Sequence, residues 1–373
     1  MSQVVVENSP KKTKRVRKKF DPTSRIWELD FLRGFCILLM CVDHLFVDVY
    51  TMYRNWGTSE KSFFANFYHA AARYMGYSSD KVLVPLETMQ ICEYVFLWLI
   101  ILLVTISFIV KIAKAKTKPT KSQVIDYSLA MTFAVLSCVA MVIVNNTVGY
   151  ADGTANSRHT ARDFIHQIIL WFFFLLCGIG CRLSKNNFKR FLQIAICAGL
   201  ISLFTYLAEV VLKMSGVLVL YGVLHMLATA VLVYAVIELI WKLIFKKPEQ
   251  DEKRKYAISI TCFIFGVAFY FLNQYLWQIS DSLPANDWFA WFHEGFCDVF
   301  QSSDYFKLCE SLPMIMFGAA IGPFIYPEKK SLFPELQPIN KGVFCFMGRH
   351  TLWVVLIHQL VLSGSLFLID LAC

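Results

Sequence analysis

Charge is what this sequence has least of. Only 17% of its 373 residues are Asp, Glu, Lys or Arg, against 57% hydrophobic, and the mean hydropathy is +0.52. A soluble domain rarely shows that balance. The chain shows no internal repeat, no low-complexity tract beyond one basic run, and no Cys/His spacing of the kind that holds zinc, so no metal ligands are expected. Most of the 12 cysteines fall in apolar stretches, where a thiol behaves as a small hydrophobe. Cys297 and Cys309 lie in or beside one loop, and a disulfide between them is left open. The leading 26 residues are polar and basic, so no cleavable signal peptide is expected and the first apolar segment should stay as an anchor.

What is present is a series of long apolar segments. About 20 such residues cross a hydrocarbon core of ~30 Å, and nine candidates stand out, at 27–50, 88–112, 124–145, 163–182, 190–212, 217–241, 256–278, 308–326 and 342–369. The expected fold is an all-α polytopic membrane protein. Lys and Arg collect in cytoplasmic loops; with the N terminus inside, the inside segments hold 26 of the 36 basic residues, which puts the C terminus outside. The net charge of +9 then reports topology. The cluster "KKTKRVRKK" suits an anionic inner leaflet rather than nucleic acid, and residues 1–24 read as a disordered, basic cytoplasmic tail. Residues 25–373 read as a single membrane domain in the plasma membrane, its lipid the first partner. Two outside loops, 51–87 and 279–307, are long and aromatic, which suggests interfacial helices covering that side.

The first span, "LDFLRGFCILLMCVDHLFVDVY", carries Asp30, Arg33, Asp43, His44 and Asp48. At 100° per residue Asp30, Arg33, Ile37, Met40, His44 and Asp48 share one stripe. An ionisable group deep in a bilayer is costly unless it meets a partner or a water-filled cavity, so that stripe must face the bundle. A rise of 1.5 Å per residue places Arg33 about 12 Å and His44 about 28 Å from the inner boundary. Asp30 reads as the i,i+3 partner of Arg33, Asp48 as the carboxylate that orients His44, and Asp43 as pointing elsewhere. The last span repeats the pattern, with Arg349 about 12 Å and His358 about 25 Å in, while His225 lies about 12 Å below the outer surface. His166 and His350 read as interhelical hydrogen-bond partners.

At this point a family pattern emerges. "R-I-x-x-L-D-x-L-R-G" followed by an intramembrane "D-H" resembles the catalytic domain of heparan-α-glucosaminide N-acetyltransferase, and the spacing of Arg33 and His44 is similar to that of integral-membrane acyltransferases that modify sugars. Similarity continues through "WFFFLLCGIGCRLSKNNFKRF", "YGVLHMLA", "DYFKLCESLPMIMFGAAIG" and "GRHTLWVVLIHQ". Residues 88–147 depart from the pattern and read as a two-helix insertion. The resemblance implies transfer of an acyl group, acetyl by default, from cytosolic acetyl-CoA to an amine or hydroxyl of a glycan on the outer side, a cell-envelope glycan being the expected acceptor. It implies His44 as catalytic base or acyl-accepting nucleophile, with Asp43 and Asp48 beside it. Arg33, Asp30, His225, Arg349, His358 and Gln359 form the expected donor- and substrate-binding set. The rival reading is a proton-coupled secondary transporter, since intramembrane His and Asp also make proton relays. A third is an inactive member of the family. Oligomeric state is left open.

Overall fold

The computed structural model describes residues 25–77, 83–115, 118–147, 158–211, 213, 217–279, 292, 302, 304–336 and 342–371. Along them run α1 (Trp27–Met52), α2 (Ser62–Tyr74), α3 (Leu86–Ala115), α4 (Lys121–Thr147), α5 (Ala161–Leu183), α6 (Asn187–Val211), α7 (Val223–Ile244), α8 (Asp251–Gln278), α9 (Leu308–Ile325), α10 (Val343–Arg349) and α11 (Thr351–Leu371). Nine of these described helices, all but α2 and α10, are long and apolar enough to cross a membrane. Helices are forced here, because lipid offers backbone amides and carbonyls no other partner. Eight of the nine apolar runs of the sequence each become one of these helices, and the ninth is divided between α10 and α11. The protein is an integral, multi-pass membrane protein.

Three features differ from the expectations. The last apolar run is not one helix: His350, at φ −107 and ψ 24, separates α10 from α11, so the depth for His358 measured along a continuous helix does not hold, while that for Arg349 is counted within α10. A short antiparallel pair, β1 (Leu83–Pro85) with β2 (Arg158–Thr160), joins the segments before α3 and α5. The sixth span begins at Val223 rather than at residue 217. The basic tail, Cys297 and most of 279–307 lie outside the described residues, while Cys309 is buried in the first turn of α9.

Side-chain contacts show which helix ends lie together. Trp27 Nε1 donates to Phe333 O at 2.9 Å, Lys114 Nζ to Leu332 O at 2.6 Å, Arg182 Nη2 to Lys255 O at 3.2 Å, and Lys255 Nζ to both Asp126 oxygens at 2.8 Å. Asn187 Nδ2 reaches Glu238 Oε2 at 3.0 Å. The starts of α1, α4, α6 and α8 thus share one end of the bundle with the finishes of α3, α5, α7 and α9. That is the basic end. At the other, aromatic end, Trp56 Nε1 donates to Asp370 Oδ1 at 2.6 Å, tying the 3-10 turn after α1 to the finish of α11. There α2 packs on α1 and α11 through Val49, Tyr53, Trp56, Ala71 and Leu366, the covering role anticipated for an aromatic loop.

At the centre stands α9, apolar on every side and buried along nearly all its length despite Pro313 and Pro323. Its last carbonyls have no partner within the helix; Lys111 Nζ on α3 donates to Phe324 O and Ser107 Oγ to Ile325 O at 3.2 Å. Against α9 lies α5, backbone to backbone: a Cβ on Gly178 would collide with Ile315 O, and one on Gly318 with Leu175 O. The crossing of α1 and α10 repeats the device, Gly34 meeting Phe344 O and Gly348 meeting Asp30 O. Small residues that let backbones touch are a main source of helix association in lipid.

Gly178→Ala and Gly348→Ala are therefore expected to lower the thermal midpoint of the purified protein, each costing on the order of 1–3 kcal/mol. Gly199 and Gly364 have open space where a Cβ would sit. Alanine there should leave the midpoint unchanged or raise it, by up to about 1 kcal/mol. Equal responses at all four positions, read by thermal unfolding in detergent, would contradict the close-approach account.

Candidate functional site

Residues of five helices line a small cavity of about 90 Å³ that is partly open to the exterior. Its middle is apolar: Ile37 and Met40 of α1, Ile169, Leu170 and Phe173 of α5, Leu224 and Leu227 of α7, and Leu352 and Val355 of α11. Polar wall groups fall at the two extremities, with Arg190, Cys177 and Thr351 toward the basic end and Asp43 and His166 toward the aromatic end. From His166 to Cys177 along α5 is about 16 Å at 1.5 Å per residue. Of the stripe expected on α1, Ile37 and Met40 are on the cavity wall, joined there by Cys36 and Asp43 from beside the stripe, while Arg33, His44 and Asp48 are not on it.

Beyond Met40 the same stripe reaches His44, and beyond Val355 the facing helix reaches His358. Their rings meet edge to face at 5.0 Å between centroids. His358 Nδ1 lies 2.8 Å from Val355 O; a carbonyl only accepts, so the proton sits on Nδ1 and the lone pair on Nε2. That Nε2 is buried and has no hydrogen-bond partner. Asp43, His166 and Arg162 stand within electrostatic reach of His44. The outcome is a pair of imidazoles, His358 with its lone pair on Nε2, one residue from Asp43 and three from Val355 of the cavity wall but not themselves on it.

The two neighbouring carboxylates have partners other than those expected. Asp43, read from the sequence as pointing elsewhere, lines the cavity. It accepts two hydrogen bonds from Arg162, at 2.9 and 3.0 Å, and one from Tyr74 OH at 2.9 Å. Asp48, expected to orient His44, instead accepts from Gln359 Nε2 at 3.0 Å on both oxygens and from Ser363 Oγ at 3.3 Å. The reason is geometric: Asp48 faces α11, so the acceptor-only carboxylate takes the donors that helix supplies. Gln359 thereby commits its amide N–H to Asp48, and its Oε1 is left buried without a partner.

The remaining expected residues divide. Arg33 lies at the basic end, 3.6 Å from Asp30 as the i,i+3 spacing requires. Asp30, however, is held more tightly by Arg25, at 2.8 and 2.9 Å. His225 is not on the cavity wall. Its Nδ1 accepts from Gly222 N at 3.3 Å, capping the start of α7, and its Nε2 meets Ser202 Oγ of α6 at 3.0 Å, so both ring nitrogens are engaged in holding α7. Arg349 ends α10 and is not on the wall either. Sequence reasoning passed over Arg162, Tyr74 and Arg190, and read His166 only as a helix-packing group. For Arg190 a signal existed, its place in the basic loop segment "KNNFKRF".

The family model described as heparan-alpha-glucosaminide N-acetyltransferase, catalytic, matches residues 122–360, more than half of the chain. The chain belongs to that family. Neither curated proteins nor solved structures give a further match. As a heparan-alpha-glucosaminide N-acetyltransferase family member it is a membrane enzyme of the N-acetyltransferase type, for which acetyl-CoA is in general the co-substrate. The matched region takes in α4, half of the stretch expected as an insertion, and the cavity residues of α5, α6, α7 and α11. The N-terminal motif with Arg33, Asp43 and His44 lies before it, so in the family member α1 is tied to the match by geometry alone.

A double-mutant cycle tests the carboxylate at the mouth. Asp43→Asn and Arg162→Gln should each destabilise the protein by roughly 1–3 kcal/mol, since each leaves a partner desolvated, and the double variant should recover part of the sum. Strict additivity in thermal unfolding would mean that the two groups do not act as a pair.

Proposed function

We propose that the protein transfers an acyl group, acetyl by family, from acetyl-CoA entering at the basic end to an amine or hydroxyl of a glycan at the aromatic end, with the basic end cytosolic and the glycan that of the cell envelope. The observation that carries this reading is a cavity whose wall runs from Arg190 to Asp43 and His166, the residue after Asp43 being His44 of the His44 and His358 pair. The nucleotide end of an anionic donor suits the basic end, where Arg33 and the Lys-rich loops lie. Its thin pantetheine arm suits a passage about 16 Å long.

At the far mouth, His44 is the proposed catalytic group and His358 its partner. One imidazole of the pair, in which the His358 Nε2 is free, takes the proton from the acceptor hydroxyl or amine as that atom attacks the thioester carbonyl, and the CoA thiolate leaves. The alternative order has His44 attack the thioester first, forming an acyl-imidazole that the acceptor then resolves. In both, Asp43 and Arg162 fix the mouth, and Asp48 with Gln359 holds α11 against α1. The apolar middle excludes water that would otherwise hydrolyse the thioester. His225 and Arg349 are left out of this scheme.

The test is release of free thiol from acetyl-CoA by detergent-solubilised protein supplied with envelope glycans. Wild type should release it; His44→Ala and His358→Ala should do so at least about 100-fold more slowly. Absence of thiol release by wild type with every glycan offered would overturn the acyl-transfer reading and favour the proton-coupled transporter, for which CoA is irrelevant.

A further inference from the structure

Next to the basic end of the cavity, two guanidiniums lie close together, Arg190 on the wall and Arg33 behind it. Gly180, in the last turns of α5, faces them both: a Cβ there would stand 2.7 Å from Arg33 Nη2 and 3.3 Å from Arg190 Nη1. The glycine leaves the room in which α1 and α6 bring their arginines together. Charge in that room does not balance. Asp30 is the carboxylate at hand, and its two oxygens are engaged by Arg25 at 2.8 and 2.9 Å, leaving Arg33 at 3.6 Å. Among the described residues Arg190 pairs with no carboxylate; its Nη1 donates to the Cys181 thiol at 3.6 Å, a weak acceptor. Arg33 Nε is buried and has no hydrogen-bond partner.

Two like charges drawn together inside a membrane domain repel each other and forfeit hydration. Such an arrangement persists when something anionic completes it. Planar guanidiniums present paired N–H groups that match phosphate oxygens two at a time. Arg190 stands on the cavity wall, so the anion would sit at the entrance and whatever it carries would extend into the apolar passage. We infer that Arg33 and Arg190, gathered at Gly180, form a phosphate-binding site that takes the diphosphate of the nucleotide-linked acyl donor. This inference rests on the proposed acyl transfer for the source of the phosphate, and a phosphorylated lipid headgroup is the other source with the same chemistry.

Purified protein in lipid-free detergent separates the cases by thermal shift and titration with four probes: CoA, inorganic pyrophosphate, pantetheine, which has the arm but no phosphate, and phosphatidylglycerol. Expected are stabilisation by CoA and by pyrophosphate, competition between the two, and little effect of pantetheine. Arg190→Gln and Gly180→Ala should weaken CoA binding on the order of ten- to a hundredfold. Arg190→Lys, which keeps the charge and loses the fork, should fall between. Each variant's unliganded melting checks that it folds. Stabilisation by phosphatidylglycerol with no response to CoA or pyrophosphate would overturn the nucleotide assignment in favour of a lipid headgroup. Folded Arg190→Gln that binds CoA and pyrophosphate as wild type does would remove the site altogether. If such a variant also releases thiol normally, acyl transfer stands without this site; if pyrophosphate binds through Arg190 but thiol is never released, the site stands and acyl transfer fails.

Discussion

Two pairs of glycines bring backbone onto backbone, and the arrangement of the cavity follows from them. Lipid tails are as apolar as leucine, so the hydrophobic effect that compacts a soluble core gives little help in packing one spanning helix on another. Close contact and its dispersion energy must do it instead. Gly178 and Gly318 seat α5 on the buried α9, and Gly34 and Gly348 seat α1 on α10. Because α5 and α1 are fixed in this way, their stripes of Phe173, Ile37 and Met40 face the same space, and α6, α7 and α11 close it.

Polar groups within the spans obey a second constraint, that of partners. Asp43 is satisfied by Arg162 and Tyr74, Asp48 by Gln359 and Ser363, and Asp30 by Arg25. Against that background the unsatisfied atoms are informative, because a buried donor or acceptor without a partner is a cost that a fold seldom keeps. Among the described residues these are Arg33 Nε, Glu28 Oε2 and Asn187 Oδ1 near the basic end, and Asn273 Oδ1, His358 Nε2 and Gln359 Oε1 farther along the spans.

The family match and the cavity support each other from different residues. The match supplies α4 to α11 and with them His166, Arg190 and His358. The motif that first suggested the family lies on α1, outside the matched region, yet α1 contributes Asp43 to the cavity and His44 to the ring pair. Packing joins the two pieces of evidence.

The sequence by itself determined the architecture. Nine apolar runs, their basic loops and the helical periodicity of Arg33, Ile37, Met40 and His44 are local properties, and a local property survives into the fold because lipid leaves the backbone no alternative to a helix. It also put His44 and His358 at similar depths, since depth along a helix is simple arithmetic. Partnership was beyond it. Nothing in the spacing tells that the two rings meet, that Asp43 turns to Arg162 while Asp48 turns to Gln359, that His225 spends its nitrogens on Gly222 and on Ser202 of α6, or that His350 breaks the last span. Those outcomes depend on which helix lies opposite, and that is decided by glycine contacts and side-chain volumes far apart in the chain. For the same reason Arg190 looked like one more cation of a basic loop until the fold brought it to Gly180 beside Arg33.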